Sequence, residues 1–180
     1  MTDEQRALLY PVILSDYNPA WPRWFEEEKT RLTERIGAAH IVRITHIGST
    51  AVPGLLAKPT VDVLLEIAEG VTAEQIIAAL TGPDYIALHP PDMPTPPPHL
   101  MIIKGYLPTG FAEQVFHIHV RYAGAWDEPV FRDRLRANPQ AAADYAALKR
   151  SLLTRYQYDR DGYTAAKGAF IRKIMEGDCH

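Results

Sequence analysis

Two strand-like segments carry residue types that chemistry needs. In 61–67, Val61, Val63, Leu65 and Ile67 alternate with Asp62, Leu64 and Glu66; in 115–122, Phe116, Ile118 and Val120 alternate with His117 and His119. Successive side chains of a strand point to opposite faces, so each segment turns acid or imidazole groups away from its apolar set. If the two strands are neighbours, Asp62, Glu66, His117 and His119 gather on one sheet surface. A carboxylate opposite a His-x-His pair suits acid–base work or a metal ion. The same alternation also fits the wet face of a half-exposed sheet.

A second group points to anions. Gly48-Ser49 opens a small-residue stretch, Gly48 to Gly54, directly after the strand-like Ile41–Ile47. Glycine lets the main chain approach a phosphate closely, and serine adds a hydroxyl donor. Asp62 follows on the next strand, a carboxylate suited to Mg²⁺ beside phosphate. Much later, Tyr145, Leu148, Leu152 and Tyr156 make an apolar stripe at about 100° per residue, and Lys149 falls inside it. Lys167 falls inside the stripe of Tyr163, Phe170, Ile171 and Ile174, and each lysine has a tyrosine four residues before it. An unpaired ammonium is costly to bury. Either the stems pack and the charges snorkel to water, or both amines aim at an anion in a cleft, where lysine serves phosphate as a compact point charge.

The elements that must position these residues follow from local patterns. The segment 11–14 reads as a short strand, Asn18-Pro19 as a turn, and Trp21–Ile36 as an amphipathic helix stopped by Gly37. Thr72 and Gln75 form a capping-box pair for a helix over 72–80. Segments 100–106 and 115–122 read as a hairpin with a long loop. Three helices follow: Asp127–Ala137, one entered through Asn138-Pro139 and running to about Tyr156, and one over 160–175. The stretch 89–98 holds six of the 15 prolines (Pro90, Pro91, Pro94, Pro96, Pro97 and Pro98) and reads as an extended connector or a lid. This order gives an α+β fold, with a mixed or antiparallel sheet and helices segregated toward the C-terminal end. The 180 residues are expected to form one domain, with a sheet lobe over about 1–125 and a helical lobe over about 126–180.

Composition narrows the partners. Lys and Arg number 19 against 22 Asp and Glu, a formal net charge of −3. That balance excludes a broad basic nucleic-acid surface but leaves room for a local cationic pocket. Cys179 is the single cysteine, which excludes a disulfide framework and a cysteine zinc knuckle. No apolar run approaches the ~18–20 residues of a membrane span, so a soluble, cytoplasmic protein is expected.

The central motif adds a resemblance. His46-Ile47-Gly48-Ser49-Thr50-Ala51-Val52-Pro53-Gly54, then Lys58-Pro59-Thr60-Val61-Asp62-Val63, resembles the bacterial GrpB family of the nucleotidyltransferase superfamily. That family also occurs fused to some bacterial dephospho-CoA kinases. The likeness continues through His117-Ile118-His119-Val120, Phe131-Arg132-Asp133, Leu148-Lys149, Tyr163, Lys167 and Phe170-Ile171. It implies a small mixed sheet with flanking helices and a nucleotide or other phosphorylated small molecule as ligand. Gly48 and Ser49 would hold phosphate, joined by Thr50, Lys58 and Arg132 from the matching motifs and by Lys149 and Lys167 from the helical lobe. Asp62 would bind Mg²⁺ or Mn²⁺. Separately, the strand alternation offers His119 and Glu66 as further ligands, Glu66 lying ~6–7 Å along the strand from position 64. The superfamily places a second carboxylate two residues after the first, where this chain has Leu64.

Three functions compete on these residues. The first is metal-dependent nucleotidyl or phosphoryl transfer, with Asp62, His117 and His119 at the reacting centre and His46 orienting the loop or carrying a proton. The second is a non-catalytic nucleotide- or phosphate-binding regulatory module, favoured by Leu64. The third is a hydrolase with one metal on Asp62, His117 and His119.

Overall fold

In the computed structural model, residues 1–90 and 94–177 are described. Pro91 of the proline-rich stretch and Cys179 lie outside them. Helix α1 (Asp3–Leu9) starts on a Thr2/Gln5 capping box, where a lead-in segment is expected from sequence. The strand expected over 11–14 is replaced by a single bridge between Ser15 and Ala57. Helix α2 (Trp21–Ile36) begins with Pro22 in its first turn and ends at Gly37, whose φ of 92° suits glycine alone.

The sheet runs β1-β2-β5-β4-β3. Its strands are β1 (Ile41–Ile47), β2 (Thr60–Ile67), β3 (Tyr85–Leu88), β4 (Leu100–Leu107) and β5 (Gly110–Tyr122), with α3 (Ala73–Ala79) between β2 and β3. Only β2 and β5 pair in parallel; the other neighbours are antiparallel, so the sheet is mixed. β3 has no counterpart in the sequence-based expectation. The long hairpin loop is also corrected: β5 begins at Gly110, which leaves Pro108 and Thr109 as a tight connection. The helices α4 (Asp127–Ala137) and α5 (Pro139–Tyr156) match expectation, and Asn138 caps α5 by accepting from the Ala141 amide at 3.0 Å. The last expected helix is broken into α6 (Arg160–Ala166) and α7 (Gly168–Glu176), with Lys167 at the joint.

The alternation read from sequence decides what each sheet face does. Val61, Val63, Leu65, Ile67, Phe116, Ile118 and Val120 all face one core, closed by Trp21, Trp24, Phe25 and Leu32 of α2 and Ile76 of α3. A second, smaller core joins Leu135, Tyr145, Ala146 and Ile174 of the C-terminal helices to Val52 and Leu55, in the loop after β1. The helical half therefore grips the Gly48–Gly54 loop, and the sheet face carrying Asp62 looks toward it. Among the described residues, no helix is long and apolar enough to cross a membrane.

Leu32 is fully buried in the first core, whereas Val42 is 57% exposed. Leu32→Ala is expected to lower unfolding free energy by about 2–5 kcal/mol, and Val42→Ala to stay within about 0.5 kcal/mol, as read by denaturant unfolding.

Candidate functional site

The β2–β5 register pairs Asp62 with His117 and Leu64 with His119. This brings the expected groups together on one face. His119 Nε2 lies 3.2 Å from Asp62 Oδ1, and His117 Nδ1 lies 3.7 Å from the same oxygen. Burial alone would raise the Asp62 carboxyl; the hydrogen bond from His119, with the His117 ring and the Lys58 amine nearby, outweighs it and holds the group down at about 2. The carboxylate is thus ionised and collared by two rings.

A bulge adds a residue the sequence pattern misses. Gly105, at φ 89°, interrupts the β4–β5 register, and a Cβ there would sit 2.3 Å from the Gln114 carbonyl oxygen. The turn of the main chain at Gly105 puts Tyr106 on the histidine face rather than the Lys104 face. Its hydroxyl meets His117 Nε2 at 2.7 Å and accepts from Arg160 Nη1 at 2.6 Å. With Arg160 donating to the Tyr106 oxygen, the Tyr106 O–H is free to donate to Nε2, the arrangement that puts the His117 proton on Nδ1, 3.7 Å from Asp62 Oδ1. Burial lowers His117 to about 3, so the ring is neutral. A glycine inside a strand is the one sequence signal that marks such a bulge.

The Gly-Ser loop stands against this group. Gly48 has φ 75°, and a Cβ on it would lie 2.7 Å from Asp62 Oδ2, so only glycine lets the loop cross here. Ser49 Oγ accepts from Lys149 Nζ at 3.0 Å, and Lys149 also donates to the Leu56 carbonyl. Lys149 is 2% exposed, with its amine 4.5 Å from the centroid of the Tyr145 ring. The amines of Lys58 and Lys167 lie 5.5 and 4.8 Å from the centroid of the Tyr163 ring. None of these three lysines makes an ion pair among the described residues. Burial, and then the charges of Lys167 and Lys58, push Lys149 down to about 7. Burial and Lys167 push Lys58 to about 8, and burial also lowers Lys167. The buried Tyr163 hydroxyl has no hydrogen-bond partner among the described residues. Snorkelling is thereby overturned for Lys149, whose amine ends inside the protein.

Other expected site residues have different employment. Glu66 is fully buried, held by Arg43 at 2.6 and 3.0 Å and by the Gly124 amide at 3.2 Å, so it is corrected from metal ligand to structural anchor. Thr50 is 1% exposed and its hydroxyl meets His46 Nε2 at 2.9 Å; it faces inward rather than toward a phosphate. His46 stacks on Phe25, 4.9 Å between centroids, and burial lowers it to about 4, which leaves it the loop-orienting role. Arg132 donates to the His46 carbonyl at 2.8 Å and to Asp133 at 2.9 Å, tying α4 to the end of β1.

The donor set fits Mg²⁺ or Mn²⁺ poorly. These ions favour several oxygen ligands, and the face offers one carboxylate, two imidazoles and the buried Leu64. Among the described residues, no group of three or more His, Cys, Asp or Glu side chains is arranged to hold a metal ion.

A small mixed sheet with the Gly-Ser loop gripped by a helical half defines a nucleotidyltransferase-like fold. In agreement, the chain resembles CdnC of Escherichia coli MS115-1 in its complex with HORMA-deltaN, at TM-score 0.50 and 14% identity, over 90% of this chain and 61% of that one. The family model described as GrpB protein matches residues 11–177, and the chain belongs to that family. Its structure resembles conserved protein GrpB of Enterococcus faecalis at TM-score 0.75 and 29% identity, over 92% of this chain and 96% of that one. A UPF0157 protein of Pseudomonas aeruginosa is 35% identical over 96% of this chain and 68% of its own length. A dephospho-CoA kinase of Mycolicibacterium paratuberculosis is 29% identical over 90% of this chain, which spans 44% of that relative.

Two outcomes test this geometry. Gly48→Ala is expected to cost about 1–3 kcal/mol from its positive φ, plus a clash that an Asp62→Gly background relieves; a double-mutant cycle by thermal unfolding reads both. His46 and His117 are neutral when folded but take up protons below about 6.5 when unfolded. The unfolded state binds more protons there, so stability falls as pH drops from about 6.5 toward 4. The slope is at most ~1.4 kcal/mol per pH unit for each histidine, and His117→Asn flattens it.

Proposed function

We propose that the chain binds a phosphorylated small molecule, a nucleotide or a related phosphate ester, where the Gly-Ser loop meets the helical half. The observation that carries this reading is the charge arrangement. Lys149 meets Ser49, Lys58 and Lys167 stand over the Tyr163 ring close enough to act on Lys149, and a single carboxylate, Asp62, lies near them. Three amines share this one carboxylate, so the cluster is short of negative charge, and an incoming phosphate supplies it. The Ser49 hydroxyl and the unpartnered Tyr163 hydroxyl offer neutral hydrogen bonds to the same ligand. The kinship with a dephospho-CoA kinase is compatible with a nucleotide-like phosphate ester in this place.

Binding is the better-supported half of the reading. Two-metal in-line transfer needs carboxylates on both sides of the ions, and Leu64 removes one of them. The Asp62–His119 pair remains as a proton acceptor near any bound phosphate, and it is the part of the pocket suited to acid–base chemistry.

Titration calorimetry with ATP and inorganic pyrophosphate tests the proposal. Micromolar to millimolar binding is expected for at least one of them, weakened about tenfold or more by Lys167→Met. Thermal stability of that variant is expected to be unchanged or raised, because it removes a buried charge. Affinity is expected to fall between pH 6.5 and 9, as Lys149 and then Lys58 lose their protons. Absence of binding to either anion at pH 6.5, with and without Mn²⁺, would overturn the reading.

A further inference from the structure

The superfamily fold leads one to expect a divalent cation at Asp62, yet the groups around that carboxylate are arranged against one. Asp62 Oδ1 already accepts from His119 at 3.2 Å and faces His117 at 3.7 Å. His117 is engaged on its other side, its Nε2 meeting the Tyr106 hydroxyl at 2.7 Å. His119 donates to the ionised carboxylate through Nε2, its nearest ring nitrogen. A metal ion on Oδ1 would need the His119 hydrogen bond broken. The next position that points to this face is Leu64, 0% exposed, and the one after is Glu66, which Arg43 occupies.

The electrostatics run the same way. Lys58 and Lys167 stand over the Tyr163 ring and Arg160 donates to Tyr106 beside His117, while Glu128 is taken up by Arg121 at 2.7 Å and Asp62 is left to oppose them. A divalent cation placed there adds like charge to a cluster already short of anions. What a metal supplies at a phosphate site is fixed positive charge against the oxygens. Here ammonium groups stand in that place, anchored by Tyr145, Tyr163, Ser49 and the Leu56 carbonyl.

We infer that this pocket holds the phosphate or diphosphate group of its ligand without a divalent metal, with Lys58, Lys149 and Lys167 as the counter-charge and Asp62 as a histidine-held hydrogen-bond acceptor. The inference rests on the phosphate-binding reading and narrows its ligand to an uncomplexed phosphate or diphosphate ester.

The test is calorimetric titration of inorganic pyrophosphate into the full chain, in EDTA and then in Mn²⁺ with free pyrophosphate corrected for complexation, together with Mn²⁺ alone. Expected are binding in EDTA, no added affinity from Mn²⁺, and no heat from Mn²⁺ alone. The Asp62→Asn variant separates the two accounts by sign. With lysines as counter-charge it tightens pyrophosphate severalfold in EDTA, because it removes a negative group facing the anion. With Asp62 as a metal ligand it abolishes metal-dependent binding. Lys58→Met is expected to weaken pyrophosphate about tenfold or more in EDTA. Pyrophosphate binding seen only with Mn²⁺, and lost in Asp62→Asn, overturns the inference but leaves the proposed function intact. No binding with or without Mn²⁺ overturns both.

Discussion

Lys149 carries its amine into the joint between the sheet and the helical half, where it meets one hydroxyl, one carbonyl and one aromatic face. An ammonium so placed lacks the carboxylate that usually accompanies a buried charge. Much of the pocket can be understood as the means of holding it there. The Leu56 carbonyl and Ser49 fix it from the loop after β1, and Tyr145 covers it from its own helix. The Leu135–Tyr145–Ile174 core keeps loop and helix together. Arg132 and Arg136 add ties from α4 to the His46 and Ala51 carbonyls, so the loop has little freedom to relax away from the charge.

Across the pocket, Asp62 is organised by a complementary device. One parallel strand pairing sets His117 and His119 beside it, and one bulge at Gly105 brings Tyr106 behind His117. The result is a hydrogen-bonded run from Arg160 through Tyr106 to His117, with His117 and His119 flanking Asp62 at 3.7 and 3.2 Å. The two halves of the site meet at Gly48, where the lack of a side chain lets the phosphate-type loop cross over the carboxylate. The site thus combines a cationic wall and a hydrogen-bonded carboxylate, brought together by one glycine.

Much of this was legible from residue order. Period-two alternation in β2 and β5 put Asp62, His117 and His119 on one face, and the helical stripes marked Lys149 and Lys167 as charges on apolar surfaces. The remainder depended on partners that no local pattern specifies. Glu66 shares a face with Asp62 by alternation, but Arg43 on the neighbouring strand claims it. Thr50 belongs to a phosphate-type motif, yet the ring of His46 turns its hydroxyl inward. The break at Lys167 lies where helical periodicity continues through the sequence, because the stripe gives no sign that the chain pauses there to redirect the amine. Tyr106 was invisible to alternation, since the bulge reverses its face.

The claim on which this account turns is that the lysine amines are held together, short of negative charge, until an anion arrives. The most direct measurement is a titration of the Lys149 side chain by NMR in selectively labelled protein, with and without pyrophosphate. The account predicts that Lys149 titrates near 7 in the free chain and that the anion raises this by more than one pH unit, since an opposite charge nearby favours the protonated amine. An ordinary lysine titration near 10.5 in the free chain, unmoved by the anion, would contradict it.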